Sequence, residues 1–516
     1  MVILGLGGLM DDSAGACIVR DGKVLAAVEQ KKLQRPHREG TLPEVAIATC
    51  LEISAMAADS VDVVAVARPF ASGPAFHLRV RALFPNAQLI VVDHHVAHAA
   101  SAFYPSGFSH ATVLTFDRGG DFRCGAKWHA SVGEELRLDR EFHFPDSIGD
   151  LYSRVTELLG FAPRADEHKV QWLATAGSDR FMPLFGEVFD RGRMRIHPSY
   201  TDTQRSRQGL WSSKMFEGLG LNDGDTPPDA LKADIAHAVQ RTVEQAVLEI
   251  AGVGENLCLA GGLFFNALLV AALERSGNFK NVFVQPAAGN GGTALGAAFA
   301  AWKRPADLGN LCLGPEFSLE ESKKVVENCK LRFQYLLTSD ELIGSAVELI
   351  GDNRIVAWMQ GRMEFGPRAL GNRSILASPL NQYSTENLNV FIKHREPFRK
   401  FAASVPAEIA TEYFDVGPNA RFLATVGKVR AAHRQTFASA ILCNDLVRVH
   451  TVAKEDNPLY HRLLLAAGEA TGLPVLFNTS FNLFGDPLVC TPRDAVRSFY
   501  SSGIDALFVG NFLLQK

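Results

Sequence analysis

A chain of 516 residues exceeds what one hydrophobic core ordinarily serves, so two or three domains are expected. With 47% hydrophobic and 21% charged residues and a net charge of -4, the composition is that of a globular protein and gives no reason to expect a nucleic-acid partner. The eight cysteines include no CxxC pair, and no stretch approaches the roughly 18 to 20 apolar residues of a membrane span, so a cytoplasmic protein with reduced thiols and no membrane partner is expected.

Val2–Leu6 reads as a buried strand, followed by the loop GGLMDDSAG, which carries Asp11 and Asp12. Two apolar runs then flank Asp21-Gly22, a hairpin signal. The same order of strand, aspartate-bearing loop and hairpin recurs at ATVLTFD, RGGD, CGAKWHAS and LRLDREFHF, where the loop holds Asp117 and Asp121. This recurrence predicts an internally duplicated α/β unit. Acidic loop residues are ordinarily turn formers, so a metal or phosphate role for these aspartates needs further support.

Between the two units lies VVDHHVAHAASAF. Asp93 is placed to cap a helix, on which His94 and His98 stand at i and i+4 and share a face, while His95 points elsewhere. A shared metal and a pair of ordinary hydrogen-bonded histidines both fit this spacing. Residues 180–228 are polar, Arg-rich and short on periodicity, which predicts a long surface insertion near a substrate entrance.

Asp229–Ala251 carries Leu231, Ile235, Val239, Val243, Val247 and Ile250 at helical spacing. Downstream, LAGGLFFN and QPAAGNGGTALG each set glycines between a buried strand and a helix, marking Gly261, Gly262, Asn266 and Gly291 as candidate nucleotide-binding residues. Tight strand–helix contact would require glycine equally. Residues 303–318 lack periodicity, and a boundary there divides the chain into 1–330 and 331–516.

The C-terminal part concentrates cations. GRMEFGPRALGNRS places Arg362, Arg368 and Arg373 among glycines, and KHREPFRK adds Lys393, Arg395, Arg399 and Lys400. Arginine forks in such turns suit phosphate oxygens. LFNTSFNLFGDP supplies Ser480 and Asn482 as short polar groups for a nucleotide or carbonyl.

Taken together and in order, DHHVAHAASAF, LAGGLFFN, VQPAAGNGGTALGAA, GRMEFGPRALGNRSIL, KHREPFRKFAA and FNTSFN resemble the O-carbamoyltransferase family of the nodulation and antibiotic-tailoring type. The resemblance implies an α/β protein in which a TsaD-like domain of the actin-like ATPase fold precedes a YrdC-like domain. It implies that carbamoyl phosphate and ATP yield carbamoyladenylate and pyrophosphate in the C-terminal part. The carbamoyl group then passes to a hydroxyl of a small-molecule acceptor in the N-terminal part. It makes His94, His98 and position 290 metal ligands, for Fe2+ with Mg2+ or Mn2+ as alternatives. It places Arg368, Arg373, Lys393, Arg395, Arg399, Ser480 and Asn482 around ATP and carbamoyl phosphate. His37, Asp11, Asp117 and Lys169 become the candidates for chemistry at the acceptor side. Whether the chain acts as a homo-oligomer stays open.

The chain departs from the family pattern near the metal. DDSA stands where HDAS is usual, so Asp11 replaces a histidine, and Asn290 stands where the family has an aspartate. Two expectations follow: an active carbamoyltransferase in which Asp11 or Asp121 supplies a carboxylate, or a paralogue that binds nucleotide with a lost or altered transfer step, in a regulatory or scaffold role or acting on an amine.

Overall fold

The computed structural model describes every residue except 35–38, 71–73, 206–207 and 484. Ten strands of the N-terminal region form two five-stranded sheets. The first contains β1 (Val2–Gly7), β2 (Gly15–Arg20), β3 (Lys23–Glu29), β4 (Val63–Ala67) and β5 (Gln88–Val92), in the order β3-β2-β1-β4-β5. The second contains β6 (His110–Gly120), β7 (Arg123–Ser131), β8 (Arg137–His143), β9 (Gly254–Ala260) and β10 (Phe279–Val284), in the order β8-β7-β6-β9-β10. In each, the first three strands are antiparallel and the last two are added in parallel. One topology therefore occurs twice, which is the duplicated actin-like α/β architecture expected from the sequence.

The third sheet is built wholly from residues after 333. Its ten strands run from an edge at Gln334–Tyr335 through Phe512–Gln515, Ala506–Val509, Val356–Met359, Arg373–Ala377, Leu476–Ser480, Ala402–Pro406, Leu446–Val452 and Val426–Val429 to Phe414–Asp415. Among the described residues, no helix is long and apolar enough to cross a membrane.

Local sequence explains the elements. The β2–β3 turn puts Asp21 and Gly22 at φ of 51° and 82°, the left-handed pair that matches strand twist in a two-residue hairpin. Helix Asp229–Ala251 buries Ile235, Val239, Val243, Val247 and Ile250 along one face, as their spacing requires, and stops at Gly252. Residues 180–228 behave differently from the expectation. They fold into two seven-residue helices, Met182–Val188 and Ser213–Leu219, and bury Phe185, Phe189, Met194, Trp211, Met215 and Phe216 in the core beside helix Asp229–Ala251. The polar residues that dominate this segment coat a wall of the core; they do not mark a free loop.

Helix His94–Phe103 lies between the two N-terminal sheets against helix Thr293–Trp302. The helices cross closely enough that a Cβ on Gly296 would fall on the Ala97 carbonyl. Gly296→Ala must push them apart, and overpacking of this kind costs about 1–3 kcal/mol. A fall in the denaturant midpoint with unchanged slope is the expected result; an unchanged midpoint would refute the close crossing.

Candidate functional site

The helix carrying the histidines starts where the sequence predicts. Asp93 caps it, accepting from the backbone N–H groups of His95 and Val96 at 3.0 and 3.3 Å. The next strand, β6, delivers Asp117 against the helix. His94 donates through Nδ1 to the Arg68 carbonyl at 3.1 Å, which directs Nε2 to Asp117 Oδ2 at 2.6 Å. His98 Nε2 is 3.6 Å from the same oxygen. His95, expected to point away, also turns inward: Nδ1 bonds Thr115 Oγ1 at 3.0 Å, and Nε2 lies 3.8 Å from Asp117 Oδ1. Spacing along one helix does not include what packs across it. Strand β6 crosses it with both Thr115 and Asp117 facing the helix, so position 95 is drawn in as well.

All four side chains are buried. Burial alone would depress His94, but the charge of Asp117 and its hydrogen bond raise the imidazole above its usual range. Burial dominates at His95, pushing it down to about 4, and also lowers His98 against the pull of Asp117 and the neighbouring Asn290 side chain. Asp117 is held far below the carboxylate range, since the surrounding histidines outweigh the desolvation that opposes them. His95 Nε2, both His98 ring nitrogens and Asp117 Oδ1 are buried without a hydrogen-bond partner. Unpartnered buried nitrogen and oxygen atoms gathered around Asp117, with His94 already oriented by a carbonyl, suit a divalent cation. The residues therefore fit a metal, with His94 and Asp117 as candidate ligands joined by His95, whose donor atom is the nearer, or by His98, as the resemblance implies. Among the described residues, His94, His95 and Asp117 offer donor atoms all within 4.8 Å of one another.

Asn290 opens the helical turn before helix Thr293–Trp302 and donates through Nδ2 to Asp11 Oδ2 at 2.6 Å. The two departures from the family pattern are thus in direct contact. Gly291 sits against Ser13 of the same first loop. On the opposite side, Gly261 and Gly262 form the turn after β9, whereas Asn266 is committed to structure. Asn266 caps helix Ala267–Arg275 and bonds Gln240 at 2.7 Å within a buried network that includes Tyr152. His37, expected to contact the acceptor or carbamoyl group, lies outside the described residues.

A second cluster is cationic. Arg368, Arg395, Arg399 and Arg448 stand close enough to repel one another, and burial together with this repulsion lowers Arg368 to about 10, Arg395 to about 9 and Arg448 well below its usual range. Arg399 is also lowered, with Glu396 and Asp166 as opposing carboxylates. Lys393 is buried at the end of a π-helical turn over Leu388–Lys393. Its ammonium donates to Ser480 O at 2.6 Å, Asn482 O at 2.9 Å and Asn482 Oδ1 at 2.8 Å. Its donors thereby order the Ser480–Asn482 segment instead of facing open space, while burial, Arg395 and Arg399 push its pKa well down.

Two predicted residues take other tasks. Arg373 is fully buried and donates to the carbonyls of Gln360, Gly361, Asn372 and Pro315 at 2.7 to 3.2 Å, so its guanidinium ties a loop and keeps only Nε unpartnered. Lys169 bridges Asp166 at 3.1 Å and Glu396 at 2.8 Å. Although burial opposes it, these partners raise its pKa, so Lys169 stays protonated and does not suit a general base. Arg448 was missed from sequence. It lies on strand Leu446–Val452 between buried Val447 and Val449, with its guanidinium 5.2 Å from the Trp172 ring centroid. The alternation of that strand was the available signal, since it puts a lone arginine on the face opposite two valines.

Two family models match the chain: "Carbamoyltransferase N-terminus" over residues 74–299 and "Carbamoyltransferase C-terminus" over residues 347–516. An uncharacterized protein of Synechocystis sp. is 32% identical over 596 aligned positions, covering 100% of this chain and 96% of the relative. Nodulation protein NolNO of Sinorhizobium fredii is 34% identical, covering 98% of this chain and 79% of the relative. A 3'-hydroxymethylcephem-O-carbamoyltransferase of Amycolatopsis lactamdurans is 31% identical over 51% of this chain and 49% of its own length.

The electrostatics of the histidine cluster are directly measurable. In Asp117→Asn the largest raising influence on His94 is lost, leaving burial opposed only by the Arg68 carbonyl and the charge of Asp93, so its pKa is expected to fall. Histidine-resolved NMR titration of chelator-treated protein would read this, and a His94 pKa that stayed raised would rule out Asp117 as the cause.

Proposed function

The chain belongs to the carbamoyltransferase family, a family of transferase enzymes, and from that premise we propose that it is an ATP-dependent O-carbamoyltransferase acting on a small hydroxylated acceptor. The observation that carries this reading is the arginine cluster, Arg368, Arg395, Arg399 and Arg448. These cations are brought together against their own repulsion with few carboxylates beside them. Such an arrangement is stabilised by a polyanion, and ATP with carbamoyl phosphate supplies one.

Carbamoyl phosphate takes up water, giving carbamate and phosphate. A carbamate oxygen attacks the α-phosphorus of ATP, the bond to the β-phosphate breaks, and pyrophosphate leaves with carbamoyladenylate formed. The acceptor hydroxyl then attacks the carbamoyl carbon, the bond from that carbon to the AMP oxygen breaks, and the hydroxyl proton is lost. The arginines hold the phosphates in line, and Lys393 keeps Ser480 and Asn482 positioned beside them. A divalent cation, iron by family resemblance with magnesium or manganese as alternatives, would be held by His94 and Asp117 with His98 or His95, and would supply charge stabilisation for the departing AMP. AMP leaves as a phosphate anion, so its departure needs no general acid. An O-linked acceptor is favoured by the relative named for carbamoylating a hydroxymethyl group.

The contact between Asp11 and Asn290 favours retained transfer over a lost step. Asp11 brings a full carboxylate to the amide that replaces an aspartate, so the site keeps its negative charge one residue removed.

Two experiments test the reading. Purified protein with ATP and carbamoyl phosphate is expected to release pyrophosphate without any acceptor. Arg368→Ala should cut that rate about 10- to 100-fold, as loss of a charged hydrogen bond worth ~1.5–3 kcal/mol implies. No release from folded, metal-supplied wild type would refute the adenylation step. Separately, elemental analysis after dialysis should show bound metal in wild type, almost none in His94→Ala, and affinity lowered roughly 10- to 100-fold in Asp11→Ala, the range for a residue that orients a ligand. Equal metal in all three proteins would remove both residues from the site.

A further inference from the structure

The β6–β7 turn beside the histidine cluster is built against backbone preference. Gly120 pairs with Arg123 across the two strands, leaving Asp121 and Phe122 as the two turn residues, at φ of 59° and 66°. Two-residue hairpins require these left-handed angles and ordinarily place Asn, Asp or Gly there. Asp121 conforms. Phe122 is a bulky side chain in a region that such residues rarely occupy, and strain of this kind gathers at functional sites.

Phe122 is also 89% exposed, so no core contact compensates for the conformation. Its carbonyl accepts from the backbone N–H of Phe144 at 3.3 Å, and Phe144, in the segment after β8, is 67% exposed. Two segments therefore meet and each presents an aromatic ring to solvent. Single exposed apolar residues need no explanation, but two on hydrogen-bonded segments, one of them strained, do.

Their location supplies the explanation. A Cβ on Gly120 would fall on the His94 ring, so the turn starts in contact with the cluster. Asp121 pairs at 2.9 Å with Arg68, whose carbonyl holds His94 Nδ1. From the other side, Ser147 Oγ, three residues beyond Phe144, donates at 3.0 Å to the carbonyl of Arg118, the neighbour of Asp117. Both aromatic residues are thus fastened by short links to His94 and Asp117. The carbamoyl acceptor has to reach this cluster from solvent.

We propose that Phe122 and Phe144 form the acceptor lip of this site and select molecules whose hydroxyl is carried on a flat apolar ring face, a pyranose or an arene. The proposal rests on the carbamoyl-transfer reading for the identity of the occupant. Aromatic rings hold such faces by stacking and exclude water from them, while the half-exposed Arg68 and Arg118 nearby are paired with Asp121 and Asp150. Flexible polyols without a ring gain nothing from the lip.

The test is binding of three probes, followed by ligand-observed NMR: methyl β-D-glucopyranoside, benzyl alcohol and glycerol. Wild type is expected to bind one or both ring-bearing probes and to ignore glycerol; which ring binds separates a sugar acceptor from an aromatic one. Phe122→Gly suits the turn better than phenylalanine, so the variant should fold with an equal or higher Tm. Its affinity for the ring probe should fall about three- to tenfold, the range of one lost aromatic contact. Phe144→Ala should do the same, and Leu337→Ala, an exposed apolar residue of the C-terminal region, should leave binding at the wild-type level. A wild type that binds glycerol as well as the ring probes, or binds none of the three, overturns the proposal. So does Phe122→Gly with undiminished affinity. Pyrophosphate release by wild type is measured in parallel: its absence counts against the adenylation reading, whereas ring-probe binding lost in Phe122→Gly supports the lip independently.

Discussion

The buried carboxylate of Glu364 organises both halves of the site. One oxygen, Oε1, accepts from the backbone N–H groups of Leu370, Asn372 and Arg373 at 2.7 to 3.1 Å, while the side chain is wholly shielded from water. A buried carboxylate is costly unless several donors converge on it, and here three N–H groups of one short segment do so. The loop therefore closes around the carboxylate. Closure turns Arg373 inward, where it ties four carbonyls, and leaves Arg368 facing the arginine cluster, with a long contact to Phe265 O at 3.4 Å. The same loop reaches the N-terminal half. Gly366 donates to Glu29 at 3.0 Å, Lys32 pairs with Glu29 at 2.8 Å and donates to Gly366 O at 2.7 Å, and Arg362 donates to Leu25 O at 2.9 Å. Glu364 fixes the loop, the loop fixes Arg368, and its contacts with Glu29 and Lys32 fix the position of the arginine cluster relative to the first sheet.

The two functional clusters are unfinished in complementary ways. Around Arg395 and Arg399 positive charge is crowded in a partly buried region, and an anion bound there would relieve the repulsion. Around Asp117 there are lone pairs without hydrogens to accept, which a cation satisfies. Neither state would persist in a region selected for stability alone, because buried apolar residues of the same volume would be at least as stable. Lys169 and Glu396 show the contrast. Near the same arginines, the Lys169 ammonium is met by two carboxylates, Asp166 and Glu396, and so is held in place by its own partners.

What was legible in the sequence was what repeats. The helical face of Asp229–Ala251, the Asp21-Gly22 turn and the duplicated order of strands each follow from periodicity or turn chemistry within a short window. What was not legible depended on contacts between distant segments. His95 joins the cluster because β6 crosses its helix; the core residues of 180–228 come from helices too short to display a period. Arginine identity was equally uninformative by itself. Arg368 and Arg373 share one motif and five residues of chain, yet one faces the cationic cluster and the other is enclosed by carbonyls, and only the fold of the loop around Glu364 separates them.

The paired departures at positions 11 and 290 have one physical account. An amide oxygen is a weaker donor to a cation than a carboxylate oxygen and, unlike it, is indistinguishable from its partner nitrogen in shape, so an amide at such a position must be oriented. Asp11 does this: by accepting from Asn290 Nδ2 it turns the amide oxygen away from itself and polarises the amide, raising the partial charge on that oxygen. A histidine at position 11 could accept there only through its one unprotonated ring nitrogen and would bring no negative charge. The two changes are therefore dependent on each other, and an aspartate restored at 290 beside Asp11 would set two carboxylates where the present pair makes a 2.6 Å hydrogen bond.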